Sequence, residues 1–287
     1  MTSIHTKPHA IRLLHAIGGA TLGSVSRPRE VANFLKSCLQ HPIKFVAEKA
    51  VESTPIVSFS EYFNVQSPSS INLSPQDLDR LAWNVRLDEE ILIGLAIKQL
   101  NARQIFEIGT FNGQSTRRLA ESAGLEARVF TLDIPAVEVD ALNCSYFKGH
   151  QIGEKFHNSP VSGQITQLAG NSLTFDFSPY FGRMDFVFVD AAHDYKHGLA
   201  DTRTALRLVR PGGVVFWHDF VPQWGGLVHG IKEGTQDYPL VRIGGTSFAA
   251  MRAPASPSSI NPDESPKRQE PFRLVKSSTT DNPVAVK

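Results

Sequence analysis

A glycine-rich turn, Glu107-Ile-Gly109-Thr-Phe-Asn-Gly113, lies between an apolar run and a helical pattern. Glycines carry no side chain, so a ligand can approach the backbone of such a turn and the N-terminus of the helix that follows it. Asp133 stands 20 residues after Gly113, the interval at which an acid on the next strand tip accepts hydrogen bonds from the ribose hydroxyls of a nucleotide. The pattern is not Gly-x-Gly-x-x-Gly, which disfavours a nicotinamide cofactor. The turn and the acid predict a nucleotide-type ligand; a purely structural turn is the alternative.

A second group of candidate residues follows two apolar runs further along the chain: Asp190, His193, His218 and Asp219. Carboxylates at two neighbouring strand tips could share one hard cation, and His218 could join them and shift the preference from Mg²⁺ toward a transition metal. His193, with an ordinary pKa of about 6.5, suits removal of a hydroxyl proton at neutral pH. The alternatives are that Asp190 caps the next helix, that Asp219 accepts backbone donors in a turn, and that His193 is structural.

The elements that must position these residues alternate between strand and helix patterns. The predicted strands are Gln104–Gly109, Ala127–Asp133, Gly163–Leu168, Met184–Asp190 and Val214–Trp217. The predicted helices are Gly113–Ala123 and one that carries Leu199 to Val209 and stops at Pro211. Such alternation predicts an α/β fold with a Rossmann-like, doubly wound sheet. Ligands bind such a sheet at the carboxyl ends of its strands, where the candidate residues lie.

Three further stretches complete the predicted domain. Ser74-Pro75-Gln76-Asp77 has the composition of a helix start, and the apolar spacing after it predicts helix as far as about Asn101. This is either one long helix or two, one ending near Leu87 and one starting at Asp88. Residues 134–162 predict a loop with one short helix. Gly244-Gly245 predicts a two-residue hairpin between Leu240–Ile243 and Thr246–Met251, so an antiparallel pair closes the mostly parallel sheet.

These residues resemble the class I S-adenosylmethionine-dependent methyltransferases over about residues 74–252. Glu107-x-Gly109-x-x-x-Gly113-x-Ser115 resembles their first motif, especially that of the catechol-type O-methyltransferases. The resemblance implies that the glycine turn holds the methionine part of the cofactor, Asp133 the ribose, and Asn171-Ser172 the adenine edge. The cofactor residues expected on this basis are Glu107, Gly109, Gly113, Ser115, Asp133, Asn171 and Ser172.

The stretches 185–195 and 211–219 resemble a bacterial methyltransferase branch that includes macrolide-sugar O-methyltransferases. In catechol-type enzymes the matching strand tips carry an Asp and then an Asp-Asn pair, which bind Mg²⁺, and a Lys is the base. Here Asp190, His218 and Asp219 occupy the metal positions and His193 lies near the place of the Lys. The resemblance therefore implies methyl transfer to an oxygen of a small-molecule acceptor, with His193 as the base and possible assistance from a divalent metal, Mg²⁺ or Mn²⁺.

Three other functions remain open from the sequence. Cephalosporin hydroxylase-like proteins resemble the same branch, and His193, His218 and one Asp could form the two-His, one-carboxylate site of a metal-dependent oxygenase. A non-catalytic protein that keeps the nucleotide pocket is the second alternative. A nicotinamide oxidoreductase is the most distant.

Composition limits the partners. Among the 287 residues, 29 Lys and Arg against 28 Asp and Glu give a net charge of +1, so no nucleic-acid partner is expected. The apolar content is 41%, and no apolar run approaches the roughly 20 residues of a membrane span. Cys38 and Cys144 are too few for a disulfide scaffold, which favours a reducing, cytoplasmic compartment.

The chain is expected to divide into four parts. Residues 1–27 form a basic segment without acidic residues, expected to be flexible, with a transit-type or membrane-surface helix as the alternative. Residues 28–73 contain two short helical patterns on either side of Pro42, expected to pack on the main domain; a lid or an oligomer contact is the alternative. Residues 74–252 form the methyltransferase domain. Residues 253–287, rich in Pro and Ser, are expected to be disordered.

Overall fold

The computed structural model describes residues 46–67, 69–141 and 148–255. The predicted basic segment, the helical pattern before Pro42 and nearly all of the predicted disordered tail lie outside these residues.

The described chain folds into eight strands with helices on both faces of one sheet. The strands are β1 (Ile56–Val57), β2 (Gln104–Ile108), β3 (Arg128–Asp133), β4 (Ile165–Ala169), β5 (Met184–Val189), β6 (Val209–Trp217), β7 (Val241–Ile243) and β8 (Ala249–Arg252). The α-helices are α1 (46–52), α2 (Phe59–Phe63), α3 (Leu87–Leu100), α4 (Gln114–Ala123), α5 (Ala136–Ala141), α6 (Glu154–His157), α7 (Tyr195–Leu208) and α8 (Gly225–Gly234).

The strand order is β1-β7-β8-β6-β5-β2-β3-β4. All neighbours are parallel except β8, which runs antiparallel to both β6 and β7. The predicted doubly wound sheet with its closing antiparallel pair is therefore confirmed. The chain order turns back between β2 and β5, and this reversal opens a crevice at the carboxyl ends of those strands.

Two apolar clusters cover the two faces of the sheet. One contains Trp217 and Val187 and lies against α7 and α8; the other contains Phe186 and Phe216 and lies against α3 and α4. Side chains at neighbouring positions of β5 and β6 point to opposite faces, so strands buried on both sides are almost continuously apolar. This core holds the strand tips in fixed positions.

The helix predicted to start at Ser74 is wrong: only the 3₁₀ turn Pro75–Asp77 forms there. The Asp77 carboxylate is buried and pairs with Arg117 and, at 2.8 Å, with Arg118. Leu78 and Leu81, which begin the apolar spacing that followed, are 68% and 37% exposed, whereas Val85 is buried in the core. The second predicted helix is confirmed as α3.

Two connections differ from the prediction. The described parts of the region 134–162, residues 134–141 and 148–162, hold two short α-helices, α5 and α6, whereas one was predicted. The β7–β8 connection runs over five residues, 244–248, instead of two, because its Ser247 N–H reaches across to donate to the buried carboxylate of Glu89 at 2.6 Å.

The segment before the predicted domain packs on it. Ala47 and Val51 of α1 belong to one apolar cluster, and β1 adds an unpredicted strand beside β7. At the other end, Ala253 is buried and its backbone bonds to Gly212 and Gly213. Within the described ranges, every helix is too short or too polar to cross a bilayer.

Candidate functional site

A cavity of about 300 Å³ opens at the carboxyl ends of β2, β3 and β5. Four of the predicted cofactor residues line it: Gly109, Asp133, Asn171 and Ser172. The rest of its wall comes from Ile108, Phe111, Leu132, Ile134, Val139, Gly170, Asp190, Ala191, Ala192 and His197. The wall is mostly apolar with a few polar groups, as is common for small-molecule sites.

The glycines of the turn allow close packing against other parts of the protein. Gly109 has φ +102°, and a Cβ there would lie 1.9 Å from the carbonyl oxygen of Asp190. Gly113 has φ +82°, and a Cβ there would lie 2.5 Å from the Phe156 ring. These glycines let the turn pack against the tip of β5 and against α6, and Gly109 also lines the cavity.

Glu107 lies inside the domain and away from the cavity wall. Its carboxylate accepts hydrogen bonds from Ser115 Oγ at 2.6 Å, from Thr131 Oγ1 at 2.7 Å and from Thr116. Burial raises the pKa of Glu107 to about 7, although the three hydroxyls act in the opposite direction. Glu107 and Ser115, both predicted to bind cofactor, here tie β2, α4 and β3 together.

Asp133 lies at the tip of β3 and faces the glycine turn. Its Oδ2 accepts from the backbone N–H groups of Thr110 at 3.1 Å and Phe111 at 2.8 Å, and its Oδ1 accepts from Ile134 at 2.8 Å. Burial raises the pKa of Asp133 against the effect of these donors. A carboxylate has about four acceptor positions, so Oδ1 can still accept from a ligand hydroxyl.

Asn171 and Ser172 line the end of the cavity that follows β4. The Asn171 Oδ1 accepts from the Leu173 N–H at 2.9 Å. The Ser172 hydroxyl bonds to the buried carboxyl of Asp201, whose pKa burial raises to about 6. His197, which also lines this end, was not predicted; its position in the first turn of α7, beside the strand tip, was the available signal.

Asp190, His193 and Asp219 come together where β5 and β6 end. Each offers one ligand atom, and these atoms all lie within 4.8 Å of one another. His193 Nε2 lies 2.8 Å from Asp219 Oδ2. Burial alone would raise the pKa of Asp219, but the bond to His193 and the charge of His218 outweigh it and lower that pKa. Two carboxylates and an imidazole form a donor set that suits Mg²⁺, Mn²⁺ and related ions.

His218 takes a different place from the one predicted. Its Nε2 lies 3.2 Å from Glu89 Oε2, and its Nδ1 lies 3.2 Å from Asp190 Oδ1. Burial opposes its charge, yet the surrounding carboxylates raise the pKa of His218 to about 11. Among the described residues, the trio that could hold a metal ion therefore does not include His218, and it contains one imidazole.

Glu89 was missed by the sequence analysis. It lies in the first turn of α3, is 1% exposed, and meets His218 from 129 positions away in the chain. The acidic run Asp88-Glu89-Glu90 was the only signal, and it is equally typical of an ordinary helix start.

The strand order, the turn after β2 and the acid at the tip of β3 agree with the Rossmann-like fold predicted from the sequence. Residues 106–220 match the family model described as a methyltransferase domain. The resemblance found in the sequence is confirmed over this stretch.

Similar proteins include two curated enzymes and one solved structure. The chain is 30% identical over 131 residues to a catechol O-methyltransferase of Mycobacterium tuberculosis, covering 45% of this chain and 53% of that protein. It is 27% identical over 158 residues to caffeoyl-CoA O-methyltransferase 2 of Petunia hybrida, covering 51% and 58%. The O-methyltransferase TomG of Streptomyces achromogenes matches with 22% identity and a TM-score of 0.48, over 62% of this chain and 85% of that one. The chain thus spans little more than half the length of these curated relatives.

Proposed function

We propose that this protein transfers a methyl group from S-adenosylmethionine to an oxygen of a small-molecule acceptor. The observation that carries the proposal is one continuous cavity wall that runs from Asp133 to Asp190, beside His193 and Asp219. A nucleotide-type ligand held by its ribose at Asp133 can then extend toward the acidic cluster. The catechol and caffeoyl-CoA O-methyltransferases among the relatives favour a phenolic hydroxyl as the acceptor.

The cofactor contacts follow from the cavity wall. Asp133 Oδ1 accepts from the ribose, Asn171 and Ser172 contact the adenine edge, and the backbone after Gly109 faces the methionine part. Glu107, Gly113 and Ser115 do not contact the cofactor in this proposal. They fix the shape of the turn that does. When bound, S-adenosylmethionine would supply an electrophilic methyl group, and the cavity residues would hold it near the acceptor oxygen, a proximity effect.

His193 is the base in this proposal. Its Nε2 faces Asp219, so the carboxylate favours the tautomer that carries the proton on Nε2 and leaves Nδ1 as the acceptor. Asp190 and Asp219 would hold a divalent cation, which lowers the pKa of a nearby hydroxyl. His218, predicted as a ligand, instead bonds to Asp190 and Glu89 and orients the Asp190 carboxylate.

Calorimetry with S-adenosylhomocysteine tests the cofactor assignment. Asp133→Ala should weaken binding at least tenfold, since a hydrogen bond to a charged group contributes about 1.5 to 3 kcal/mol. Glu126→Ala, an exposed acid before the opposite end of β3, is the control and should bind like the wild type. The proposal would be rejected if the wild type does not bind S-adenosylhomocysteine but is stabilised by nicotinamide dinucleotides.

Product analysis tests the reaction itself. The wild type, supplied with S-adenosylmethionine and Mg²⁺ or Mn²⁺, should methylate a hydroxyl in a panel of catechols and hydroxycinnamoyl compounds. Iron-dependent hydroxylation without methyl transfer would identify an oxygenase instead. Tight cofactor binding with no product from any acceptor would favour a non-catalytic binding protein.

A further inference from the structure

An aromatic contact lies beside the proposed base. The rings of Trp224 and His193 have centroids 4.5 Å apart and planes 37° from parallel. Trp224 is half-buried against the apolar cluster that contains Trp217, and this packing restrains its indole ring. The His193 side chain is 28% exposed and makes its one hydrogen bond among the described residues to Asp219.

These two contacts restrain different motions of the imidazole. The bond to Asp219 fixes the place of Nε2, but a ring held at one atom can still turn about that bond. A flat ring against its face removes this freedom because turning would bring the imidazole edge into the indole. Together they set the direction in which Nδ1 points.

A row of glycines on α8 places Trp224 over His193. A Cβ at Gly226 would lie 2.9 Å from the Tyr195 N, and a Cβ at Gly230 would lie 2.5 Å from the Leu199 N. The backbones of α7 and α8 are therefore in direct contact along this row. Because α7 begins two residues after His193 and α8 begins directly after Trp224, this close approach brings the two rings together.

We propose that Trp224 is a positioning residue that holds the His193 ring with Nδ1 directed at the acceptor oxygen. This inference rests on the proposed function and deepens it: Trp224 acts through His193 and not on the cofactor. A planar side chain is required at this position, whereas the indole N–H is not. An aliphatic residue would fill part of the space but leave the ring free to turn.

Turnover measurements separate positioning from binding. Trp224→Leu should lower kcat at least tenfold while the Kd for S-adenosylhomocysteine and the KM for acceptor change by less than twofold. Trp224→Phe keeps a flat ring and should recover most of the lost kcat. Tyr195→Leu removes an exposed aromatic ring from the first residue of α7 and should behave like the wild type.

Carbon-labelled histidine NMR gives a readout that does not depend on activity. The ring protons of His193, identified by their loss in His193→Gln, should carry ring-current shifts that disappear in Trp224→Leu and persist in part in Trp224→Phe. A wild type without methyltransferase activity would reject the proposed function and leave this shift comparison valid.

Two results would overturn the inference. One is unchanged His193 signals and unchanged kcat in Trp224→Leu. The other is a raised acceptor KM with unmoved His193 signals, which would make Trp224 a wall of the acceptor pocket. If Trp224→Leu fails to fold, Trp224→Phe decides alone: a kcat as low as that of His193→Ala would contradict a requirement for planarity alone.

Discussion

His193 and His218 follow neighbouring strands, but their ring nitrogens contact different carboxylates. His218 has a carboxylate at each ring nitrogen, Glu89 on one side and Asp190 on the other, so neither nitrogen is left to accept a proton from a substrate. Among the described residues, His193 has a carboxylate hydrogen-bond partner at Nε2 alone. The residue type is the same, and the partners decide which imidazole can act as a base.

The first prediction concerns His193→Ala. If His193 is the base, Mn²⁺ affinity and S-adenosylhomocysteine affinity should be retained, while turnover falls by about 10² to 10⁴. Chelation should abolish methyl transfer in the wild type and leave S-adenosylhomocysteine binding intact. Titration with Mn²⁺ followed by electron paramagnetic resonance, together with steady-state rates, measures both effects.

Asp190→Asn and Asp219→Asn provide the comparison for that experiment. Asp219 has φ +55°, a backbone conformation that Asn tolerates well, so this change removes charge without new strain. Both variants should lose Mn²⁺ binding alike. Loss of Mn²⁺ in His193→Ala as well would make His193 a ligand and reject its role as the base.

The second prediction separates two glycines with positive φ. Gly109→Ala should destabilise the fold more than Gly124→Ala. A strained backbone costs about 1 to 3 kcal/mol at either site, but only the new methyl at Gly109 meets a carbonyl, at 1.9 Å, with overpacking worth about 1 to 3 kcal/mol more. In the part of the chain that the structure describes, no neighbouring atom lies within 4 Å of a Cβ at Gly124. Urea unfolding measures the difference, and equal losses would disprove the packing role assigned to Gly109.

At the scale of elements, the sequence predicted those helices and strands that depend on residues near one another in the chain. The unit β2, α4 and β3 could be predicted because apolar periodicity and the glycine turn lie within 30 residues. The prediction of a helix after Ser74 is wrong because Asp77 forms ion pairs with Arg117 and Arg118, about 40 positions away in the chain. The longer β7–β8 connection depends on Glu89, 158 positions distant, and no local pattern encodes such a partner.

Glu107 joins three of these elements, and its pH response is the third prediction. The folded pKa of about 7 lies above the ordinary 4.5, so the folded state binds the proton more tightly. The stability that this group contributes is fully present below pH 4.5 and is lost as the pH rises to about 7. Across that window the loss amounts to about 3 kcal/mol.

Glu107→Gln should remove this pH dependence, since the amide stays neutral and the surrounding hydroxyls can reorient toward it. The free energy of unfolding of the variant, minus that of the wild type, should therefore increase between pH 4.5 and 7 and stay level above. Urea titrations across this range provide the measurement, and Asp176→Asn, an exposed acid, serves as the control. If the free energies of unfolding of variant and wild type change with pH in parallel, Glu107 does not cause the pH dependence.

At the scale of the whole molecule, the domain begins earlier than its motifs. The motifs start near residue 74, yet α1 contributes Ala47 and Val51 to the core, β1 extends the sheet, and Phe63 of α2 lies with its ring 6.1 Å from that of Phe216. The sequence predicted packing of this segment but not the strand, because a two-residue run such as Ile56–Val57 carries no periodicity.

The last prediction is that truncation within this segment unfolds the domain, whereas truncation outside it does not. A chain of residues 28–255 should keep the wild-type affinity for S-adenosylhomocysteine, since it retains α1, β1 and the buried Ala253. A chain of residues 74–255 loses several apolar side chains from the core, each worth about 1.5 to 3 kcal/mol when fully buried. That sum is comparable with the roughly 5 to 15 kcal/mol that stabilises an ordinary domain, so this shorter chain should show no cooperative thermal transition. Circular dichroism and calorimetry compare the two, and a folded, ligand-binding 74–255 chain would place the domain boundary where the motifs begin.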